Sequence, residues 1–234
     1  MQRKDNFVVG EYYHIYNRGI DKRVIFKSQF DYERFIMLLK VANSLESFRL
    51  DHLINHQHKD INEILSMNTG EKLISIGAWC LMENHFHILL KEEIEGGISK
   101  FMKKLGTGYS MYFNIKYNRT GSLFGGPFKS KHISQDIYLK HLFGYIHLNP
   151  LSIKFFDWEQ LIDSKDVSNL WKEFLRNYQF SSYRDYEGID RVEKNILDKK
   201  SFPEYFLEDN SFEDFIDSYI CFNKEKLECK KHSL

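Results

Sequence analysis

Two apolar runs joined by a very short connection constrain the fold more than any other feature of the chain. The first run is KLISIGAWCLM (72–82) and the second is HFHILLKE (85–92), with only Glu83 and Asn84 between them. Short runs rich in large apolar residues are typical of buried strands. A two-residue connection pairs such strands antiparallel, so we expect a hairpin inside a sheet.

Similar patterns predict the elements around this hairpin. The aromatic and β-branched stretch 12–19 is typical of a strand, and the polar stretch 46–71 of a loop with some helix. Apolar residues recur at helical spacing in three segments, and a Gly-rich loop leads to a short strand that ends at 133. The three predicted helices are 28–45 with Ser28 as its cap, 96–118, and 134–150 with Ser134 as its cap and Pro150 as its stop.

The predicted order is strand, helix, strand, strand, helix, strand, helix. Its first six elements match the split βαβ arrangement of ferredoxin-like folds, an α+β class with an antiparallel sheet and helices on one face. The length of 234 residues suits one large domain with an appendage. We expect one domain over 1–150, which would carry any functional site on its sheet, and a helical C-terminal extension, packed on it, over 151–234.

Charge is balanced overall but unevenly distributed. The 33 basic and 33 acidic residues cancel, so the net charge does not indicate a nucleic acid or an acidic partner. Between 100 and 140, however, eight basic residues stand against one acidic residue, and between 201 and 228 eight acidic residues stand against two basic ones. Such an asymmetry is typical of a protein that binds a charged partner, and it is equally typical of a protein with two solvated faces.

Cysteine usage and hydropathy predict a soluble, cytoplasmic protein. The three cysteines form no C-x-x-C pair, which argues against a disulfide framework. The first residues show no signal-peptide pattern, and no run approaches the ~18 apolar residues of a membrane span.

Two histidines in the second strand of the hairpin are candidates for a metal site. Residues two apart on a strand point to the same face, which places His85 and His87 side by side with Cα atoms ~7 Å apart. Two imidazoles on a rigid strand can begin a metal site, although an isolated pair is also compatible with two structural histidines. A histidine-triad nucleotide hydrolase would need a third histidine where Leu89 stands. A second pair, His56 and His58, lies in a polar segment without an evident scaffold.

The helix YLKHLFGYIHLNP supplies further candidates. Tyr145 and Asn149 are four residues apart and therefore share one helical face. Asn149 can complete a His-His-Asn ligand set, for which Mn²⁺ or Mg²⁺ is the suitable metal. Pro150 disfavours the helical conformation at Asn149, which we expect at the last turn of the helix with its side chain turned in. A tyrosine in a helical stripe and an asparagine cap would give the same two residues.

Longer motifs resemble a known family. The stretches ENHFHILL, YFNIKYNRTGSLFGGPFKSKHI and YLKHLFGYIHLNPL are similar to the single-tyrosine transposases of the HUH endonuclease superfamily, and most of all to the REP-associated tyrosine transposases. The opening YYHIYNRGIDKRVIF and the later YQFSSYRDY also resemble that group, so the likeness covers most of 7–190. Glu83 replaces a usual proline, and GGP (125–127) replaces a Gln-Gly-Arg type of run.

The resemblance implies a metal-dependent enzyme that nicks and joins single-stranded DNA, often beside a hairpin, as a monomer or a homodimer. It implies that His85, His87 and Asn149 bind Mg²⁺ or Mn²⁺ and that Tyr145 is the nucleophile, which forms a 5′-phosphotyrosine. A catalytically inactive DNA-hairpin-binding regulator and a metal hydrolase that uses water remain alternatives. The basic residues that we expect to contact DNA are Lys129, Lys131, Arg119, Lys103 and Lys104.

Overall fold

A four-stranded antiparallel sheet forms the centre of the structure, a computed structural model that describes residues 6–154, 165–205 and 211–220, with only the backbone at 165–169. The strands are β1 (Tyr12–Arg18), β2 (Ile74–Met82), β3 (His85–Glu92) and β4 (Lys129–Ile133). Their order in the sheet is β2-β3-β1-β4. This is the order of a ferredoxin-like fold, and β2 and β3 form the predicted hairpin.

One face of the sheet is covered by the two helices that the sequence predicts there. They are α1 (Gln29–Val41) and α4 (Gly97–Lys116). Two short helices, α2 (Leu50–Asn55) and α3 (Ile61–Ser66), lie in the polar segment between α1 and β2. Inward-facing side chains of the strands join these helices in the main hydrophobic core; they include Tyr13, Ile15, Phe86, Ile88 and Leu90.

A buried carboxylate fixes α1 against α4. Asp31, with no exposed surface, accepts hydrogen bonds from the hydroxyls of Tyr112 (2.9 Å) and Tyr117 (2.7 Å) and from the Lys116 ammonium (2.7 Å). It also accepts the backbone N–H of Ser28 at 3.0 Å, so the predicted cap of α1 is present. Because buried charges need partners, this cluster gives the two helices a defined relative position.

The opposite face carries a second layer. It contains α5 (Asp136–Leu148), α6 (Leu151–Lys154), α7 (Lys165–Asn177), α8 (Tyr183–Tyr186) and the helical residues 212–220, with 3₁₀ turns at Ile20–Lys22, Val192–Ile196 and Lys199–Ser201. Their apolar side chains form a second cluster with Ala78, Cys80, Met82 and Leu89 of the sheet. The sheet therefore has the predicted layer of helices on one face and a second layer of helices on the other face.

One detail of α5 differs from the prediction, and a second agrees with it. The helix begins after Gln135 rather than after Ser134, because the Gln135 carbonyl accepts the first backbone hydrogen bonds. Asn149 has helical angles (φ −50°, ψ −40°), and its N–H donates to the Tyr145 carbonyl. Pro150 thus disfavours a helical residue before it without preventing one. The consequence is that Asn149 lies one full turn after Tyr145 on the same face of α5.

The segment YQFSSYRDY covers the edge of the sheet that β2 forms. The Leu81 N–H donates to the Phe180 carbonyl, and the Ser182 N–H donates to the Trp79 carbonyl, both at 2.9 Å. The Tyr178 hydroxyl donates to the Leu81 carbonyl at 2.6 Å. An unpaired edge strand can pair with other chains, so this segment closes an edge that would otherwise be exposed. Among the described helices, none is long and apolar enough to cross a membrane.

Candidate active site

The histidine-bearing face of the sheet is a regular array of side chains from three adjacent strands. Every second residue of β1 points to this face, and the pairing of β1 with β3 and β4 fixes its neighbours. Neighbours on one face of an antiparallel pair lie about 5 Å apart at Cβ. Along the sheet, the rows of the array are Leu89–His14–Lys131, His87–Tyr16–Lys129 and His85–Arg18.

The predicted histidine pair lies on this face with both Nδ1 atoms engaged. The rings of His85 and His87 are nearly perpendicular, with centroids 5.0 Å apart. The Nδ1 atom of His85 lies 2.7 Å from the Asn84 amide oxygen, and the Nδ1 atom of His87 lies 2.8 Å from Nε2 of His14. An amide oxygen only accepts, so His85 carries its proton on Nδ1 and has a lone pair on Nε2.

Helix α5 brings the other two predicted residues over the pair. The Tyr145 ring centroid lies 5.4 Å from that of His87, and the tyrosine is 44% exposed. Asn149 donates from Nδ2 to the Tyr145 carbonyl at 3.0 Å, and its side chain lies beside His85. His85, His87, Tyr145 and Asn149, predicted from three separate motifs, therefore meet at one place.

The electrostatics of the pair favour neutral imidazoles. The pKa of His85 is lowered to about 4, chiefly by burial and also by the nearby Arg18, while hydrogen bonding of the charged form to Asn149 opposes the shift. Burial also lowers the pKa of His87 well below its usual value, with further contributions from His14, His85 and Arg18. Metal ligation requires a neutral imidazole, whereas a histidine that pairs with a phosphate by opposite charge must be the cation. The site therefore suits a metal ion better than direct phosphate binding by these rings.

The donor chemistry fits a hard or borderline divalent ion. Among the described residues, no group of three or more His, Cys, Asp or Glu side chains could hold a metal ion. A site here consequently needs the amide oxygen of Asn149 beside Nε2 of His85 and of His87. Two nitrogens and one oxygen, with further positions left for a substrate, suit Mn²⁺ or Mg²⁺.

The predicted DNA-contacting residues divide between the two faces. Lys129 and Lys131 are exposed on the histidine-bearing face, opposite Tyr16 and His14. The other three lie on the opposite side of the sheet, on α4 or just after it. Lys103 is exposed there, Lys104 donates to the carbonyls of Ser44 (2.6 Å) and Glu46 (2.7 Å), and Arg119 lies 5.8 Å from the Phe113 ring.

Three residues of β1 that the sequence motifs did not single out also belong to the site. His14 and Tyr16 contact the ring of His87, with centroids 5.0 and 5.8 Å away, and Arg18 stands opposite His85. The signal was the alternation of polar and apolar residues in YYHIYNR (12–18), but only the pairing register connects it to β3. The second histidine pair, His56 and His58, is exposed, and the structure does not bring it to this site.

The fold and this arrangement define a class of protein: a ferredoxin-like sheet with paired histidines beneath a helix-borne tyrosine and asparagine. Residues 45–149 match the model of the family described as "Transposase IS200 like". The match agrees with the resemblance that the sequence motifs carry, and the matched segment contains His85, His87, Tyr145 and Asn149.

The chain is also similar to solved structures. A solved structure described as a REP-associated tyrosine transposase bound to a REP hairpin is 12% identical, covers 82% of this chain and 90% of its own, and has a TM-score of 0.48. No curated protein matches the chain.

Proposed function

We propose that this protein is a metal-dependent transposase that cuts and joins single-stranded DNA through a covalent bond to Tyr145. The observation that carries the proposal is the convergence of the tyrosine with His85, His87 and Asn149, all within one chain. Since a single copy supplies the complete set, catalysis does not require residues from a second subunit. Both a monomer and a homodimer are compatible with this arrangement.

The reaction exchanges one phosphate ester for another. The Tyr145 oxygen attacks the phosphorus, an O–P bond to tyrosine forms, and the bond from phosphorus to the 3′ oxygen of the preceding nucleotide breaks. The phenol loses its proton to solvent, and the released 3′ oxygen gains one. The 5′ end is then held as a phosphotyrosine, and attack by a 3′-hydroxyl reverses the step, which joins strands without an external energy source.

The residues around Tyr145 each have a defined part in this proposal. The half-exposed ring can meet a phosphate that approaches over the sheet, while contact with His87 fixes its position. The imidazoles of His85 and His87 and the Asn149 amide would hold Mg²⁺ or Mn²⁺. A bound divalent ion polarises the phosphate and stabilises the charge that develops on the leaving oxygen.

The open strip beside the site suits a single DNA strand. Lys129 and Lys131 stand two residues apart on the edge strand, ~7 Å by the rise of a strand, and both are exposed. Arg18 extends the same charged surface to the row of His85. The ring of Tyr16, half-buried between the lysines and the histidines, has the Lys129 ammonium 6.0 Å from its centroid, and a base could stack on it where that ammonium moves to a phosphate. A strand along this strip would reach the Tyr145 hydroxyl.

A suicide-substrate assay tests the proposal. The protein is mixed with Mn²⁺ and a labelled hairpin oligonucleotide with single-stranded flanks from its own genomic surroundings, and a denaturing gel is examined for a label-shifted protein band. We expect a metal-dependent adduct that disappears in Tyr145→Phe. Tyr138→Phe is the matched control, because Tyr138 is also exposed on α5 but lies near its start.

The other outcomes identify the alternatives. Hairpin binding without an adduct or cleavage would favour the regulator. Cleavage without an adduct, retained in Tyr145→Phe, would favour a hydrolase that uses water.

A further inference from the structure

A third histidine, His14 of β1, contacts the proposed metal-binding pair from the neighbouring strand. Nε2 of His14 lies 2.8 Å from Nδ1 of His87, within hydrogen-bond distance, and the two rings lie edge to edge with centroids 5.0 Å apart and planes 24° apart. His14 is only 9% exposed and His87 only 6%. The two strands hold the residues one row apart in the array, so the contact follows from the sheet register.

We propose that His14 is a positioning residue that sets the tautomer of His87. In this arrangement His87 donates its Nδ1 proton to Nε2 of His14, and the lone pair of His87 is left on Nε2. The inference deepens the proposed function and rests on it, because a lone pair on Nε2 is what a metal ligand at this position requires. The reverse arrangement, with His14 as the donor, would leave the His87 proton on Nε2 and exclude ligation by that atom.

The neighbouring histidine supports this direction. His85 has an acceptor at the same atom, since its Nδ1 lies 2.7 Å from the Asn84 amide oxygen. The orientation of that amide is itself fixed, because its nitrogen donates to the Lys22 carbonyl at 3.1 Å. Metal-binding histidines usually donate their second ring N–H to such an acceptor, which orients the ring. His14 would therefore do for His87 what Asn84 does for His85.

The geometry argues against His14 as a ligand itself. Its Nε2 atom is occupied by the contact with Nδ1 of His87, which points away from the nitrogen that a metal would use. Lys131 stands directly opposite His14 on β4, so a second cation at His14 would meet a positive charge. The described residues also contain no group of three histidines that could hold a metal ion.

The first test uses the metal-free protein, so it does not depend on catalysis. Long-range ¹⁵N–¹H spectra of ¹⁵N-histidine-labelled protein distinguish the Nδ1–H from the Nε2–H tautomer. We expect His87 as Nδ1–H in the wild type and in His14→Gln, whose side-chain amide oxygen can accept near the position of Nε2. In His14→Phe, which keeps a ring but has no acceptor, we expect the Nδ1–H signature to be lost or mixed.

The second test measures Mn²⁺ affinity by titration calorimetry without DNA. Loss of an outer hydrogen-bond partner of a ligand typically weakens metal binding about 10- to 100-fold, which we expect for His14→Phe, while His14→Gln recovers most of the affinity. His132→Phe is the matched control, because His132 lies on the neighbouring strand but is exposed and pairs with Glu11. Thermal denaturation of each variant verifies that it folds.

The outcomes separate this inference from the proposed function. An Nε2–H tautomer of His87 in the wild type, or equal affinity loss in His14→Gln and His14→Phe with both folded, would overturn the role of His14. Absence of Mn²⁺ binding in every form, together with the expected tautomer, would instead remove the metal from the proposed function and leave the tautomer assignment standing.

Discussion

The division of basic residues between two faces predicts which of them bind DNA. Arg18, Lys129 and Lys131 line the histidine-bearing face. Each phosphate contact to a single strand changes the slope of log K against log salt by about 0.7. Replacing all three residues by glutamine should reduce that slope by about 2, which corresponds to roughly 100-fold weaker binding at 0.1 M salt. Fluorescence anisotropy with a labelled single-stranded oligonucleotide at several salt concentrations measures both quantities.

A triple variant of equal charge loss on the other face is the control. Lys100, Lys103 and Arg119 lie on α4 or just after it, on the side of the sheet away from His85 and His87. If proximity to the site determines binding, their replacement by glutamine leaves the slope nearly unchanged. An equal reduction in both variants would mean that charge alone matters. A reduction only in the α4 variant would refute the reasoning and restore Lys103 and Arg119 as the main contacts.

Three further predictions concern stability. Burial lowers the pKa of His85 to about 4 and that of His147 to about 3; both are neutral when folded and bind protons when unfolded below about pH 6.5. Urea denaturation should therefore show stability falling between pH 6.5 and 4, by up to roughly 1.4 kcal/mol per pH unit for each histidine, and a flat profile would contradict this. Gly144→Ala would place a Cβ 2.5 Å from the Tyr219 ring and should cost about 1–3 kcal/mol, measured by thermal denaturation. Gly106→Ala is its control: Gly106 lies in α4, its added Cβ would meet no atom within 4 Å, and the substitution should not destabilise the protein. Asp31→Ala should cost about 3–5 kcal/mol, since it leaves Lys116 and two tyrosine hydroxyls without their shared acceptor.

Local patterns in the sequence were sufficient for the sheet and its first layer. The two-residue connection at Glu83 and Asn84 fixed the central hairpin, and helical spacing identified α1, α4 and α5. The packing of the second layer on the sheet was not predictable in the same way, because it depends on contacts between distant residues such as Trp79 and Ser182. The start of α5 was missed because Ser134 and Gln135 are adjacent polar residues, and only one of their carbonyls accepts the first helical bonds.

The site was predictable to the extent that its residues lie in recognisable motifs. The alternation of His85 and His87 and the four-residue spacing of Tyr145 and Asn149 placed each pair on one face, and the resemblance joined the pairs. His14 could not be found this way, because its contact with His87 depends on how β1 aligns with β3. A shift of one residue in that register would turn His14 to the opposite face.

The same register explains why the positive charge of the segment from 100 to 140 does not show which residues form a binding surface. The segment from 100 to 140 is nearly uniform in charge, but it crosses the sheet: α4 covers one face, and the next strand exposes Lys129 and Lys131 on the other. Only the second part faces His85 and His87. Arg18, outside the segment, gains its place in the site from pairing alone. If DNA binds where the chemistry is, affinity depends on these three residues from two strands. The basic residues of α4 do not contribute, and two of them, Lys104 and Lys116, already have partners within the fold.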